Sequence, residues 1–298
     1  MSYACPICAS DDVEDTGFRA ENNELNVQHR VYSCLNCTGR FLADRPNSIG
    51  KVQASADARP SEASIQHVRR YFKDKKSLDE CDYPFSLIPL IEEHAPGKRI
   101  LEVGCGGSLL LPMLHERGFQ VEGFEGDPAG LWLARERGTT VWTGDWDAIS
   151  QILGGRQFDC IVSDQVFEHT LYPGHFLREL RALLAPEGKL IFRLPNEGSL
   201  RRNLEVALAR LKRHDHTRSY FVDHWNYFNS RALKLCFQSN GYRVLSLKQD
   251  LSPQGFIMGK LLRTMSGYPT LCRTLGKTMA RVNSSLLSNG LTIVAAAD

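Results

Sequence analysis

From residue 98 the chain alternates short apolar runs with stretches of helical period. "RILEV" (99–103) precedes "SLLLPMLHERG", and "QVEGFEGDP" (120–128) precedes "AGLWLARERG". "TTVWTGD" comes next, then "FDCIVSD" (158–164) with "HFLRELRALLAPEG", and then "KLIFRLPN" (189–196). "SRALKLCFQSNG", "YRVLSLKQ" and a final "GLTIVAAAD" (290–298) complete the series, for about seven strands. Strands separated by helices of this length require crossover connections, so the expectation is an α/β fold: a largely parallel sheet covered on both faces. Ligands of such sheets lie beyond the carboxyl ends of the strands, where the strand order reverses.

The remaining 97 residues carry a different signal. Cys5 and Cys8 in "CPIC" and Cys34 and Cys37 in "CLNC" form a C-x2-C-x25-C-x2-C pattern. Two residues between thiolates let both sulfurs face one ion, and two such knuckles complete a tetrahedron. Residues 1–45 are expected to be a zinc-ribbon-like module with Zn(2+) in a structural role, since four thiolates leave no position open for chemistry. So short a module buries little apolar surface, and the metal would hold it together. The other five cysteines, Cys81, Cys105, Cys160, Cys236 and Cys272, show no pairing and read as core thiols.

Residues 46–97 read as a linker followed by lead-in helices. "PNSIGKVQASADARPSEAS" is polar and aperiodic, and helical stretches follow at about Glu62–Lys76 and in "YPFSLIPLIEEHA".

The start, "MSYACPICAS", lacks the features of a secretory leader, and no apolar run is long enough for a membrane span. A cytoplasmic location is expected, with thiols or metal ligands rather than disulfides. The net charge of +2 gives no global field toward nucleic acid.

The first run ends in "ILEVGCGGS" (100–108), with Glu102 before Gly104, Cys105 and Gly106. Gly104 and Gly106 permit a tight turn and close backbone approach to a ligand. A dinucleotide fingerprint needs a glycine where Leu109 stands, and Glu102 would repel a pyrophosphate. The carboxylate suits a cationic ligand, and S-adenosyl-L-methionine carries both an ammonium and a sulfonium. Glu125, beside Gly126, stands where an acid can accept from both ribose hydroxyls. Asp127 before Pro128 reads as a helix N-cap. Asp145 could accept from the adenine amino group, with Trp146 as an apolar wall; a solvated Glu125 and a core Trp146 are the plain alternatives.

These motifs, with "FDCIVSDQVFEH", "LLAPEGKLIFRLPN" and "HWNYF", resemble the class I S-adenosylmethionine-dependent methyltransferases, and most nearly the ubiquinone-pathway O-methyltransferase branch. The resemblance covers about Arg99–Asp298 and is specific for the cofactor, not for the acceptor. It implies a seven-stranded Rossmann-like methyltransferase sheet with its last strand antiparallel. It assigns Glu102, Gly104 and Gly106 to the methionine part and Glu125 to the ribose. Asp164, closing the fourth strand, is added to the cofactor set.

Some of these relatives bind a divalent metal through E-x-x-E-H. Here the positions read Gln165, Glu168 and His169, an amide replacing the first acid. His169 is a candidate general base, with loop orientation as its alternative role; Glu168 and His224 complete the catalytic candidates. Tyr227 and Phe228 read as core. Two segments, 199–222 and 254–288, are extra to the minimal sheet and read as an acceptor cap. The first holds six Lys/Arg against two acids and the second five Lys/Arg and none. They are either ordinary basic helix faces or a receiver for an anionic or amphiphilic acceptor, a phosphorylated sugar, a lipid-linked intermediate or a membrane surface. "HDH" (214–216) reads as a solvated loop.

The expected function is therefore methyl transfer to a small-molecule acceptor, most readily at oxygen. An RNA methyltransferase gripping RNA through the zinc module is the alternative. The acids Asp11, Asp12, Glu14, Asp15, Glu21 and Glu24 between the knuckles argue against a phosphate-binding face. A non-catalytic binding protein is a third reading. Oligomeric state is left open.

Overall fold

The computed structural model describes residues 3–22, 27–45, 59–76, 86–95, 97–107, 109–211, 224–250 and 290–298. A seven-stranded sheet forms the body. Its strands are β4 (Arg99–Val103), β5 (Gln120–Phe124), β6 (Val141–Trp142), β7 (Phe158–Asp164), β8 (Leu184–Pro195), β10 (Tyr242–Asp250) and β11 (Gly290–Ala297). The order is β10-β11-β8-β7-β4-β5-β6; β11 is antiparallel to both neighbours, and the β6-to-β8 block is parallel. The order reverses between β4 and β7, so the crevice for a ligand opens at their carboxyl ends. β7 is buried from Phe158 to Ser163, as a strand covered on both faces must be.

The crossover helices follow the sequence signals. Asp127 accepts from Gly130 N at 2.7 Å and Pro128 opens helix α4 (Pro128–Glu136), as expected of an N-cap with proline in the first turn. Helix α1 spans Glu62–Lys76, α2 Ile88–His94, α3 Leu110–His115 and α5 Ile149–Leu153. Helix α6 (Pro173–Leu183) buries Phe176, Leu177, Leu180 and Leu183 at helical spacing. Helix α8 (Ser230–Ser239) is capped by Asn229, whose Oδ1 accepts from Ala232 N at 2.9 Å.

The N-terminal cysteines sit on a second, smaller sheet. Strands β1 (Val13–Asn22), β2 (Val27–Cys34) and β3 (Arg40–Leu42) form an antiparallel meander, and a fourth strand, β9 (Asn226–Tyr227), joins its edge. β9 comes from the far side of the chain, between β8 and α8. It pairs Asn226 with Phe41 and Tyr227 with Arg40. The two sheets share one core: Cys5, Ile7, Cys34, Cys37 and Phe41 lie in the same buried cluster as Phe167, Phe228, Ala232 and Phe237. Gly39 marks the closest approach. A Cβ there would stand 2.8 Å from Ile7 Cδ1 and 2.9 Å from Ala232 Cβ, so the knuckle can seat on α8 only with glycine at this place.

Of the segment 199–222, residues Leu200–Leu211 form α7, which packs Val206 against Phe18, Val31 and Tyr227. The rest of that segment, including "HDH", and the whole of 254–288 lie outside the described residues, as do Cys81 and Cys272. Cys105, Cys160 and Cys236 are buried free thiols. Tyr227 and Phe228 are core residues. No described helix is long and apolar enough to cross a membrane.

Candidate cofactor crevice, cysteine centre and histidine cluster

Strand β4 delivers the glycine turn to the crevice. Gly104 has φ +73° and Gly106 φ +52°, the left-handed region that favours glycine. At Gly104 the demand is double, because a Cβ would lie 2.2 Å from Val166 Cγ2, in the loop after β7. The turn is anchored by Gly104 N donating to Phe124 O at 2.7 Å. Glu102 is buried, 1% exposed, one residue short of the strand end. The thiol of Cys105 points into the core against Gly123, whose added Cβ would meet Sγ at 2.7 Å. What Cys105 offers a ligand is therefore its main chain.

Glu125 knits two loops together. Its Oε2 accepts from Gly106 N at 2.5 Å and its Oε1 from Asp127 N at 2.6 Å. Burial raises its pKa above the ordinary carboxyl value, against the pull of these backbone donors. Each oxygen keeps a second lone pair for a hydroxyl donor. Gly130 completes this contact: a Cβ there would be 3.2 Å from Gly106 Cα and from Glu125 Cγ. Sequence reasoning passed over Gly130 because it stands inside a helix rather than in a turn. Asp145 caps a short 3-10 turn, accepting from Asp147 N at 3.0 Å, and stays exposed. Trp146 is half-buried between Phe176 and Gly126, a wall beside the same crevice. Asp164 stands at the end of β7 with both oxygens held by Arg193, at 2.7 and 3.0 Å. The next residue, Gln165, adopts φ +57°, a strained conformation for a residue with a side chain.

The three catalytic candidates converge. Ligand atoms of Glu168, His169 and His224 lie within 4.8 Å of one another. The His169 and His224 rings meet edge-on, 4.6 Å between centroids at 87°. Two aromatic and polar links fix their segments. Phe167 stacks on Phe228 at 4.9 Å and 12°, and Asn226 Nδ2 donates to Thr170 O at 2.6 Å. The site can accept a proton, or it can hold a cation through two imidazoles and one carboxylate. That donor set suits a borderline transition metal better than magnesium.

The four cysteine sulfurs, Cys5, Cys8, Cys34 and Cys37, lie within 4.8 Å of one another, close enough to face one ion. Cys5 Sγ and Cys37 Sγ are 3.8 Å apart, and Cys8 Sγ and Cys34 Sγ 3.6 Å. Zinc–sulfur bonds of about 2.3 Å give tetrahedral edges of about 3.8 Å. The two knuckles repeat each other: Ala9 N donates to Cys5 O and Thr38 N to Cys34 O, and both Ala9 and Thr38 have φ near +60°. The mutual hydrogen bond of Cys5 and Cys37 lowers the pKa of Cys5 and raises that of Cys37.

Arg45 was not foreseen. It follows β3 and is half-buried, and desolvation pushes its pKa down to about 10, so it is charged at neutral pH. It donates to Leu42 O at 3.2 Å, Trp225 O at 2.6 Å and Asn226 Oδ1 at 2.8 Å, and also to Leu171 O. One guanidinium thus ties the cysteine module to both segments that carry the histidines.

A seven-stranded sheet of this order, with a glycine turn after its first strand and an acid after its second, defines a methyltransferase fold. The methyltransferase domain family matches residues 66–247, and the chain belongs to that family. Curated relatives include the mitochondrial ubiquinone biosynthesis O-methyltransferase of Schizosaccharomyces pombe, 29% identical over 119 residues, covering 38% of this chain and 43% of that protein. The ubiquinone biosynthesis O-methyltransferase of Nitrosococcus oceani is 36% identical over 113 residues, covering 34% and 46%. The chain spans about half or less of the length of these relatives. Among solved structures, a TehB-like SAM-dependent methyltransferase from Corynebacterium glutamicum superposes with TM-score 0.50 at 15% identity, over 80% of this chain and all of that one. A SAM-dependent methyltransferase from Archaeoglobus fulgidus gives TM-score 0.51 at 14% identity, over 76% and 98%. These two likenesses establish the fold.

Proposed function

We propose that the protein transfers a methyl group from S-adenosylmethionine to an oxygen of a small-molecule acceptor, with zinc at the cysteine centre as a structural ion. Bound S-adenosylmethionine supplies an activated methyl on sulfur, to be attacked in line with its C–S bond. Glu102 and the Gly104–Gly106 turn would hold the amino-acid part, Glu125 the ribose, and Asp145 and Trp146 the adenine. The observation that carries this reading is the Glu125 carboxylate, buried between the glycine turn and the start of α4 with hydrogen bonds to both.

The chain's own task is to align the acceptor and take its proton. Positioning can supply about 7–11 kcal/mol of a barrier. His169 and His224, beside Glu168 and beyond β7, are the proton-accepting pair. The mutual 4.8 Å reach of these three side chains supports a second reading for the same place, in which they hold a divalent ion. Bound there, such an ion would supply Lewis acidity to the acceptor hydroxyl.

An enzyme without a nucleic-acid partner fits the acidic face between the knuckles, where Asp11, Asp12, Glu14 and Asp15 are all exposed. The test is to incubate the zinc-loaded protein with methyl-labelled S-adenosylmethionine and fractionated cell extract. Label in the small-molecule fraction, lowered about 10²–10⁴-fold by His169→Ala or His224→Ala, is the expected result. Label in RNA alone would overturn the reading.

A further inference from the structure

The carboxyl edge of the large sheet holds a second recess, away from the glycine turn. It has a volume of about 410 Å³ and lies between the cysteine module and the end of β8. The strand register places it: Gln249 pairs with Leu291, and Leu291 with Leu194. Gln249 therefore sits at the same edge as Asn196, which follows β8, and as the turn that follows β4. Among the described residues no apolar side chain lines this recess. Pockets for aromatic or isoprenoid ligands have apolar walls, so such a ligand does not suit it.

The walls carry two kinds of group. Gln249 Nε2 donates to Ser230 Oγ, Asn196 Oδ1 accepts from Gly198 N and Asn203 Nδ2 donates to Gly198 O; the remaining donor and acceptor capacity of these amides and of the hydroxyl matches the hydroxyls of a sugar. Arg40, from β3, and Arg231, from the first turn of α8, add two guanidiniums. Neither forms an ion pair among the described residues. Among the described residues the one carboxylate in the lining is Glu197; burial raises its pKa, against the pull of Arg202 and, more weakly, Arg40. Its charge is met chiefly by Arg202, at 2.5 Å with both side chains largely buried. With two guanidiniums against one carboxylate, the described lining keeps a net positive charge. A guanidinium fork fits phosphate oxygens in pairs.

We propose that this recess binds a phosphorylated sugar. Arg40 and Arg231 take the phosphate, and the amides take the ring hydroxyls. The cysteine module then has a second task besides folding, because Arg40 and Thr38 supply one wall of the site.

The test is calorimetry on the full, zinc-loaded chain with glucose 1-phosphate as the probe, in the presence of adenosylhomocysteine. Binding tighter than about 1 mM is expected, weakened about tenfold or more by Arg231→Gln and by Arg40→Gln. Both variants should bind adenosylhomocysteine as the parent protein does, which shows that they are folded. Glucose and inorganic phosphate should each bind about tenfold more weakly than the combined molecule. No heat from glucose 1-phosphate, undiminished binding in both variants, or equal binding of inorganic phosphate overturns the proposal. Should adenosylhomocysteine fail to bind while glucose 1-phosphate binds, the methyl-transfer reading falls and the sugar-phosphate site stands.

Discussion

Arg45 and Asn226 meet at 2.8 Å, guanidinium to side-chain oxygen, where the cysteine module joins the sheet that carries the glycine turn. The same Asn226 passes its own amide hydrogen to Thr170 O, directly after the 3-10 turn that presents His169. Removing Arg45 takes a charged donor from Leu42 O, Leu171 O, Trp225 O and Asn226 Oδ1, of which Trp225 O keeps Leu42 N; hydrogen bonds to charged groups are worth about 1.5–3 kcal/mol each. Arg45→Met is expected to lower stability by about 2–5 kcal/mol in urea denaturation. Arg45→Lys should recover only part of that loss, because one ammonium cannot reproduce the fork.

The cysteine centre should hold one zinc per chain, countable by atomic emission. Cys34→Ser should lose it. Because Phe41 and Ile7 share a core with Phe228 and Phe237, a strong chelator should lower the melting temperature of the whole chain rather than melt a detached module. A second, separate transition for the first 45 residues would contradict this.

Gly104 is constrained by φ and by Val166 at once. Gly104→Ala carries about 1–3 kcal/mol of backbone strain before the clash with Val166 is counted. The turn must move to relieve it. Adenosylhomocysteine affinity should fall at least about tenfold, and thermal stability should fall with it. Gly104→Ala,Val166→Ala should regain stability but not the φ-dependent part of the binding loss.

Glu125 gives a pH prediction. Its pKa is raised by burial, so it takes up a proton at a higher pH than an ordinary carboxyl as the solution is acidified. Protonation removes an acceptor from the ribose position and weakens the bridge between the two loops. Cofactor affinity should fall on acidification, starting above the usual carboxyl range. The stability sign is opposite: with the folded pKa above the unfolded one, ionised Glu125 costs stability, and that cost is relieved as pH falls through the folded value. Glu125→Gln should bind cofactor more weakly at neutral pH and show a flatter pH profile, as calorimetry between pH 4 and 8 would report.

The sheet and the glycine turn after its first strand were legible because local signals dictate them. Apolar runs bounded by turns place the strands, the glycines stand where the turn needs positive φ, and the Asp127–Pro128 pair starts its helix. The cysteine spacing likewise carried its own geometry. Contacts between distant segments were not legible. "HWNYF" was visible as a motif, but nothing in it says that Asn226 and Tyr227 extend the ribbon's sheet. Arg45 stands in "LADRP" like any surface arginine, and only the packed fold sets it among the carbonyls it bonds. The approach of His224 to His169 likewise depends on the stacking of Phe167 on Phe228.

The most direct measurement is titration calorimetry with adenosylhomocysteine, NADH and FAD on the zinc-loaded protein. One site of micromolar affinity for adenosylhomocysteine, lost in Glu125→Ala, is the predicted result. No heat from adenosylhomocysteine while NADH or FAD binds would contradict the account.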